Sequence, residues 1–176
     1  MLVVNGHVYP EVDTAQVGTR YLQKLLLFRN LRDGKFESVG DRLGAAFQQV
    51  YPGRGAAVAD FNHDGALDIL VNNMDAGPLL LKSGGTPGRH WLEILLTRNG
   101  KNRDAIGARV YLRAGDTTQM REVMSSSGYF SAACRRLHFG LGAQTQADEV
   151  IVVWPGGKKQ VLKNVKAGQL LVLREG

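Results

Sequence analysis

The feature that most constrains this chain is a nine-residue acidic loop set between two short apolar runs. Residues 60–68 read Asp-Phe-Asn-His-Asp-Gly-Ala-Leu-Asp, with side-chain oxygens at the first, third, fifth and ninth positions. Calcium takes about 6–8 oxygen ligands, and a tight loop can supply most of them from alternate residues. A glycine at the sixth position permits a positive φ that turns the backbone inward. The loop therefore predicts a Ca²⁺ site, with side-chain ligands and one backbone carbonyl from Asp60, Asn62, Asp64, Ala66 and Asp68.

Two other interpretations of this loop are weaker. Asp64 and Gly65 alone are typical of a plain hairpin turn, but a turn does not account for four oxygen-bearing side chains in register. An EF-hand needs flanking helices and a carboxylate at the twelfth position, where this chain has Val71. The apolar runs 56–59 and 69–71 instead predict two buried strands joined by the loop.

Residues 54–71 resemble an FG-GAP repeat of the VCBS type, the unit that builds integrin-like β-propellers. The resemblance implies that the acidic loop joins the first two strands of a blade and holds calcium. His63 occupies a position where such repeats often have Gly or Asn. It lies between ligand positions, and we expect its side chain to face solvent.

The rest of the first half also indicates blade strands. Residues 24–29 and 35–39 predict two strands joined by a turn at Asp33 and Gly34, and residues 78–82 predict the third strand of the calcium-loop blade. A propeller closes with typically 4–8 blades, since an open row leaves strand edges unpaired. This chain holds parts of two. We therefore expect a C-terminal piece of a longer protein, or a shortened relative that self-associates through open edges.

The second half predicts several short strands at hairpin spacing, and hence a compact antiparallel β-sandwich or barrel. The fold class is therefore all-β, with partial propeller blades followed by this sandwich. The predicted domains are 1–82 and 90–176, separated by a glycine-rich linker at 83–89.

Four motifs in the second half resemble the ASPIC/UnbV domain, which follows FG-GAP repeats in bacterial outer-surface proteins and in the cartilage acidic protein family. They are residues 102–110, 127–131, 136–142 and 153–157. One departure is the segment 133–135, where relatives often carry polar or acidic residues. The resemblance implies a location outside the cytoplasm, either extracellular, periplasmic or at the cell surface.

The composition of the chain limits the classes of partner that it is expected to bind. No segment reaches the roughly 20 apolar residues of a membrane-spanning helix, and no secretory signal is apparent in this chain. Residues 89–176 carry 14 Lys and Arg against 7 Asp and Glu. A solvated basic face explains this excess better than nucleic-acid binding, because the basic residues are mostly isolated from one another. The lone Cys134 is expected to be a buried, inert thiol.

Catalytic chemistry has little support in the sequence. Ser127, His138 and Asp104 can be combined into a triad only on paper, because no nucleophile-elbow motif is present. We expect His138 to make a structural hydrogen bond at a strand end. The glycines in 140–142 indicate a turn after a strand. Trp91 and Trp154 are expected in the core, and stacking on a sugar is the alternative.

The sequence as a whole predicts a calcium-binding, non-enzymatic extracellular module for recognition or adhesion, with an unidentified protein or glycan ligand. The alternative is an accessory or catalytic domain of a carbohydrate-active or biosynthetic enzyme.

Overall fold

The computed structural model describes residues 1–15, 17–129, 131–132 and 134–176. In the described part, regular structure consists of β-strands and three short 3₁₀ helices, at Pro10–Asp13, Gly40–Arg42 and Ala45–Phe47. The all-β prediction is therefore confirmed. None of these helices has the length and apolar character that a membrane span requires, among the residues described.

The chain divides into two compact units. The first comprises Met1–Ala57, Ile69–Leu81 and Gly128–Ser131, and the second comprises Val58–Asp68, Lys82–Ser127 and Ala132–Gly176. The acidic loop thus groups with the second unit, although the strands on either side of it lie mainly in the first. The predicted domain limits at 82 and 90 stay a prediction.

The strands of the first unit form small antiparallel sheets. In chain order they are β1 Leu2–Val3, β2 Gln23–Lys24, β3 Leu26–Asn30, β4 Phe36–Ser38, β5 Val50–Tyr51, β6 Gly53–Ala59, β7 Asp68–Asn73 and β8 Leu79–Leu81. They pair in the orders β1-β3-β4, β2-β5 and β6-β7-β8. Among the residues described, the hydrophobic cluster of this unit has three buried members, Leu25, Phe47 and Val71, with partly buried neighbours around them. This core is small.

The predicted blade elements are present in this unit. β3 pairs with β4 across the turn at Asp33 and Gly34, and Gly34 has the positive φ of +83° that such a turn uses. β7 pairs antiparallel with β8, which is the predicted third strand after the acidic loop. The hairpin predicted from the turn at Asp33 and Gly34 and the predicted third blade strand are therefore both present.

In the described part of the second unit, seven further strands form two sheets. They are β9 His90–Thr97, β10 Arg109–Ala114, β11 Thr117–Glu122, β12 Leu137–Gly142, β13 Gln146–Val153, β14 Lys159–Lys166 and β15 Gln169–Arg174. One sheet has the order β11-β10-β13-β14 and the other β12-β9-β15. In β10, exposed and buried residues alternate strictly, as expected for a strand with one face on the core. Trp154 is 1% exposed within this core, which confirms its predicted burial.

Pairing in the second sheet differs from the sequence-based picture in two ways. β15 runs parallel to β9, so one pair in the sandwich is not antiparallel. The predicted turn at residues 140–142 is wrong, because these residues are the end of β12 and pair with β9. A register shift between Gly140 and Gly142 accommodates the glycines inside the strand.

Cys134 is exposed, so its prediction as a buried thiol is wrong. It lies in the connection between β11 and β12, outside both sheets, and such connections run over the surface. Of the segments that carried the sequence argument, Phe130 in motif 127–131 and Ala133 in the departure 133–135 lie outside the described residues.

Candidate metal centre

The acidic loop begins where β6 ends and finishes at the first residue of β7. Its reversal depends on two residues with positive φ, His63 at +60° and Gly65 at +88°. The second confirms the conformation predicted for the sixth loop position. His63 is exposed, as predicted from its place between ligand positions.

The first and last aspartates of the loop are buried and hold its backbone. Asp60 is 4% exposed, and its Oδ1 and Oδ2 accept hydrogen bonds from the backbone N–H groups of Asp64 at 3.1 Å and Gly65 at 2.7 Å. Asp68 is 2% exposed. Its Oδ2 accepts from the Phe61 N–H at 3.1 Å and its Oδ1 from the Ser83 N–H at 2.8 Å. The two carboxylates therefore fix the beginning and the end of the loop.

Asp64 lies at the exposed tip between them. Its Oδ1 accepts a hydrogen bond from the Ala66 N–H at 2.9 Å, and its Oδ2 accepts from the Asn62 side-chain amide at 2.7 Å. These two bonds, the first above all, lower the pKa of Asp64 below its usual value. The Asp64 side chain is accordingly held as a carboxylate.

All five residues predicted as calcium ligands belong to one hydrogen-bonded loop, and their donor set fits a hard cation. Asp60, Asp64 and Asp68 supply carboxylates, Asn62 a side-chain amide and Ala66 a backbone carbonyl. Among the described residues, no Lys, Arg or His side chain forms an ion pair within 4.0 Å of these three carboxylates. Two of the carboxylates are nevertheless almost fully buried, where an uncompensated negative charge is costly.

Two aromatic side chains of the second unit contact the loop. His138 lies in β12, and its Nε2–H donates a hydrogen bond to the Gly65 carbonyl at 3.0 Å. The imidazole stacks on Trp91 of β9, with ring centroids 6.2 Å apart and planes at 13°. Trp91 also packs closely on Gly65, because a Cβ at that glycine would overlap the indole. The structural hydrogen bond expected of His138 is thus present, and His138 is the second residue of β12, close to the beginning of the strand.

Trp91 is only half-buried, so its prediction as a core residue is wrong. The reason is the pleat of β9. Leu92, Ile94 and Leu96 face the core, and successive side chains of a strand alternate between its faces. Trp91 and Glu93 therefore lie on the outer face, where the register places His138 opposite Glu93.

Glu93 brings a fourth carboxylate close to the loop, beside those of Asp60, Asp64 and Asp68. Its side chain is 3% exposed, and ligand atoms of Glu93, Asp60 and His63 all lie within 4.8 Å of one another. Burial raises the pKa of Glu93; the Arg136 guanidinium opposes this shift and the Asp60 carboxylate adds to it. Arg136 Nη1 lies 3.8 Å from Glu93 Oε2 and donates to His63 Nδ1 at 2.9 Å. The Arg136 guanidinium is therefore the positive charge that contacts Glu93 and His63 on this side of the loop.

Sequence reasoning missed Trp91, Glu93 and Arg136 as neighbours of the loop. His138 is 73 positions from Gly65, and only the pairing of β9 with β12 brings these residues together. The one available signal was that Arg136 and His138 belong to a motif, residues 136–142, that had no assigned role.

A strand-loop-strand unit with this acidic loop, followed by a two-sheet module, defines a chain with an FG-GAP repeat and an ASPIC/UnbV domain. The family model described as an FG-GAP-like repeat matches residues 11–71, and the model described as ASPIC and UnbV matches residues 98–176. The chain carries both, which confirms the two resemblances.

The particular relatives are cartilage acidic proteins. The chain is 32% identical to human cartilage acidic protein 1 over 150 residues, which cover 82% of this chain and 22% of the human protein. It is 32% identical to the mouse protein over 138 residues, 75% of this chain and 21% of that protein. It is 34% identical to the Xenopus tropicalis protein over 110 residues, 60% of this chain and 17% of that protein. The chain thus spans about a fifth of the length of these curated relatives.

Proposed function

We propose that the acidic loop binds Ca²⁺ and that the chain is a non-enzymatic recognition module stabilised by this ion. The observation that carries the proposal is the burial of Asp60 and Asp68 with neutral N–H donors and without an ion pair within the described residues. A bound calcium would neutralise carboxylates that otherwise repel one another, and would hold the chain reversal between β6 and β7.

A role outside the cytoplasm, in recognition or adhesion, is the broader part of the proposal. It is supported by the FG-GAP-like and ASPIC/UnbV matches and by the name of the relatives, cartilage acidic protein. The second unit also offers a cleft of about 590 Å³ beside the loop, lined in part by Asp64, Trp91 and His138. Clefts with aromatic and polar walls are common ligand sites, and a protein or glycan segment is the class of ligand we propose.

The competing function is catalysis, with His138 as the acid or base. The hydrogen bond from its Nε2–H to the Gly65 carbonyl and its stacking on Trp91 favour a structural role. Hydrolysis of a glycan that is lost on replacing His138, and retained on replacing Asp64, would favour the enzyme.

The calcium proposal is tested by thermal unfolding with and without the ion. For an extracellular-type site with a Kd of about 10⁻⁴–10⁻³ M, about 1 mM free calcium stabilises by roughly 0.4–1.4 kcal/mol. For a chain of this size we expect a rise in Tm of about 1–6 °C.

Asp64→Ala should remove most of this response, whereas Asp116→Ala should keep it. Asp116 is a matched control, because it is an exposed aspartate in the turn between β10 and β11 of the same unit. Equal melting temperatures in calcium and in chelator would contradict the proposal.

A further inference from the structure

We propose that His138, supported by Trp91, is a positioning residue for the calcium loop, so that calcium affinity depends on strands β9 and β12. The inference rests on the proposed calcium binding and goes beyond it, because neither residue is among the ligands. It assigns a role to His138, inside the segment that the ASPIC and UnbV model matches, and to Trp91, which precedes that segment. The FG-GAP pattern alone would place the site entirely within residues 60–68.

The peptide group between Gly65 and Ala66 links His138 to the Asp64 carboxylate. Its carbonyl accepts the hydrogen bond from His138 Nε2–H at 3.0 Å, and its N–H donates to Asp64 Oδ1 at 2.9 Å. A peptide group is planar and rigid, so fixing its carbonyl also fixes the direction of its N–H. His138 therefore acts through one peptide plane on the orientation of the Asp64 carboxylate.

Trp91 restrains the same peptide from a second direction. The indole packs so closely on Gly65 that no side chain fits there, and it stacks on the His138 imidazole. Gly65 adopts a φ of +88°, a conformation that glycine enters and leaves without steric cost. Contacts from outside the loop are therefore needed most at this residue to hold its backbone. Together the two rings hold the most adaptable residue of the loop in the conformation that the ligand pattern requires.

Two charged side chains beside the loop come from β9 and from the residue just before β12. Glu93 of β9 and Arg136, which precedes β12, face Asp60 and His63 on the outer face of the sheet. Hydrogen-bonding partners of metal ligands typically change metal affinity by about 10–100-fold when they are replaced. The module that follows the repeat thus supplies the outer support of the proposed site.

Calcium titrations of the full chain test this inference with two variants of His138. His138→Phe keeps a ring that can stack on Trp91 but lacks the N–H donor, and we expect its calcium Kd to rise about tenfold. His138→Gln keeps an N–H donor of similar reach, and we expect less than a threefold change. A Kd for His138→Phe within twofold of the unmodified chain would overturn the inference, and so would equal losses in the two variants.

Gln119→Ala is the matched control. The Gln119 side-chain amide donates to the Gly140 carbonyl of β12 at 2.7 Å, so this variant also removes a side-chain bond to a backbone carbonyl of the second unit. Because that carbonyl is not in the loop, the calcium Kd should be unchanged. Weakening of binding by Gln119→Ala equal to that of His138→Phe would show a general effect of stability and overturn the inference.

A second measurement uses the unmodified chain, so it does not depend on whether a variant folds. In a calcium titration followed by NMR, the indole N–H signal of Trp91 should shift with the same saturation curve as the Gly65 amide. The indole signal of Trp154, buried in the core, is the internal reference and should stay in place. A Gly65 amide that shifts while Trp91 does not would overturn the inference but leave calcium binding intact. Absence of any shift would overturn both.

Discussion

Gly65 meets three separate requirements of the loop. It needs a positive φ of +88°, it has no room for a Cβ against Trp91, and its carbonyl accepts the His138 bond. The first requirement could be predicted from the spacing of the loop. The other two could not, because they depend on residues brought to the loop by strand pairing.

Replacing Gly65 by alanine separates these requirements when Gly100 serves as the control. Gly100 has a φ of +85° and open space around it, so Gly100→Ala tests only backbone strain, at about 1 kcal/mol. Gly65→Ala adds the overlap with Trp91, and we expect at least about 1 kcal/mol more destabilisation. Urea unfolding followed by tryptophan fluorescence measures both variants, since Trp91 and Trp154 both belong to the second unit. Equal losses would show that the contact with Trp91 is unimportant.

The two tryptophans show how far the burial of single residues could be predicted from the sequence. Trp154 directly follows the apolar strand β13 and is buried, as its setting predicted. Trp91 begins an apolar strand too, but Leu92 and Ile94 take the core face and leave it on the other side. The pleat makes adjacent residues face opposite ways, so hydrophobicity alone does not decide which one is inside.

At the scale of elements, turns and alternation were informative, whereas sheet order was not. The alternation in β10 and the Asp33–Gly34 hairpin follow from local periodicity and turn chemistry. The parallel pairing of β9 with β15 joins segments from opposite ends of the second unit. Local sequence patterns do not predict a pairing between strands so far apart in the chain. The continuation of β12 through residues 140–142 was missed for a related reason, since its two glycines are tolerated by a bulge that only its partner reveals.

Two valine substitutions test the assignment of core and surface within neighbouring strands. Val152 of β13 is fully buried, whereas Val161 of β14 is 53% exposed. Val152→Ala removes two buried methyl groups and leaves a cavity, so we expect a loss of about 2 kcal/mol. Val161→Ala should change the free energy of unfolding by no more than about 0.5 kcal/mol. Fluorescence-detected urea unfolding compares them, and similar losses would contradict the two-sheet core.

The two units differ in the size of their cores, which bears on whether each half folds alone. The buried cluster of the second unit draws all of its members from residues 92–173, and they come from both of its sheets. The cluster centred on Leu25, Phe47 and Val71 is far smaller and is served by sheets of two or three short strands. Such small sheets are marginal in water without further packing, and their open edges favour association.

We therefore predict that residues 90–176 fold when expressed alone, whereas residues 1–82 aggregate or associate with another copy. The isolated second half lacks the acidic loop and hence the Gly65 carbonyl that His138 contacts, but it retains every member of its buried core. Amide NMR spectra of each half in calcium, together with light scattering for the oligomeric state, provide the measurement. A poorly dispersed spectrum for 90–176 would mean that this half needs the loop to fold. A dispersed, monomeric spectrum for 1–82 would contradict its interpretation as partial propeller blades, because a self-sufficient domain has no need of neighbouring blades.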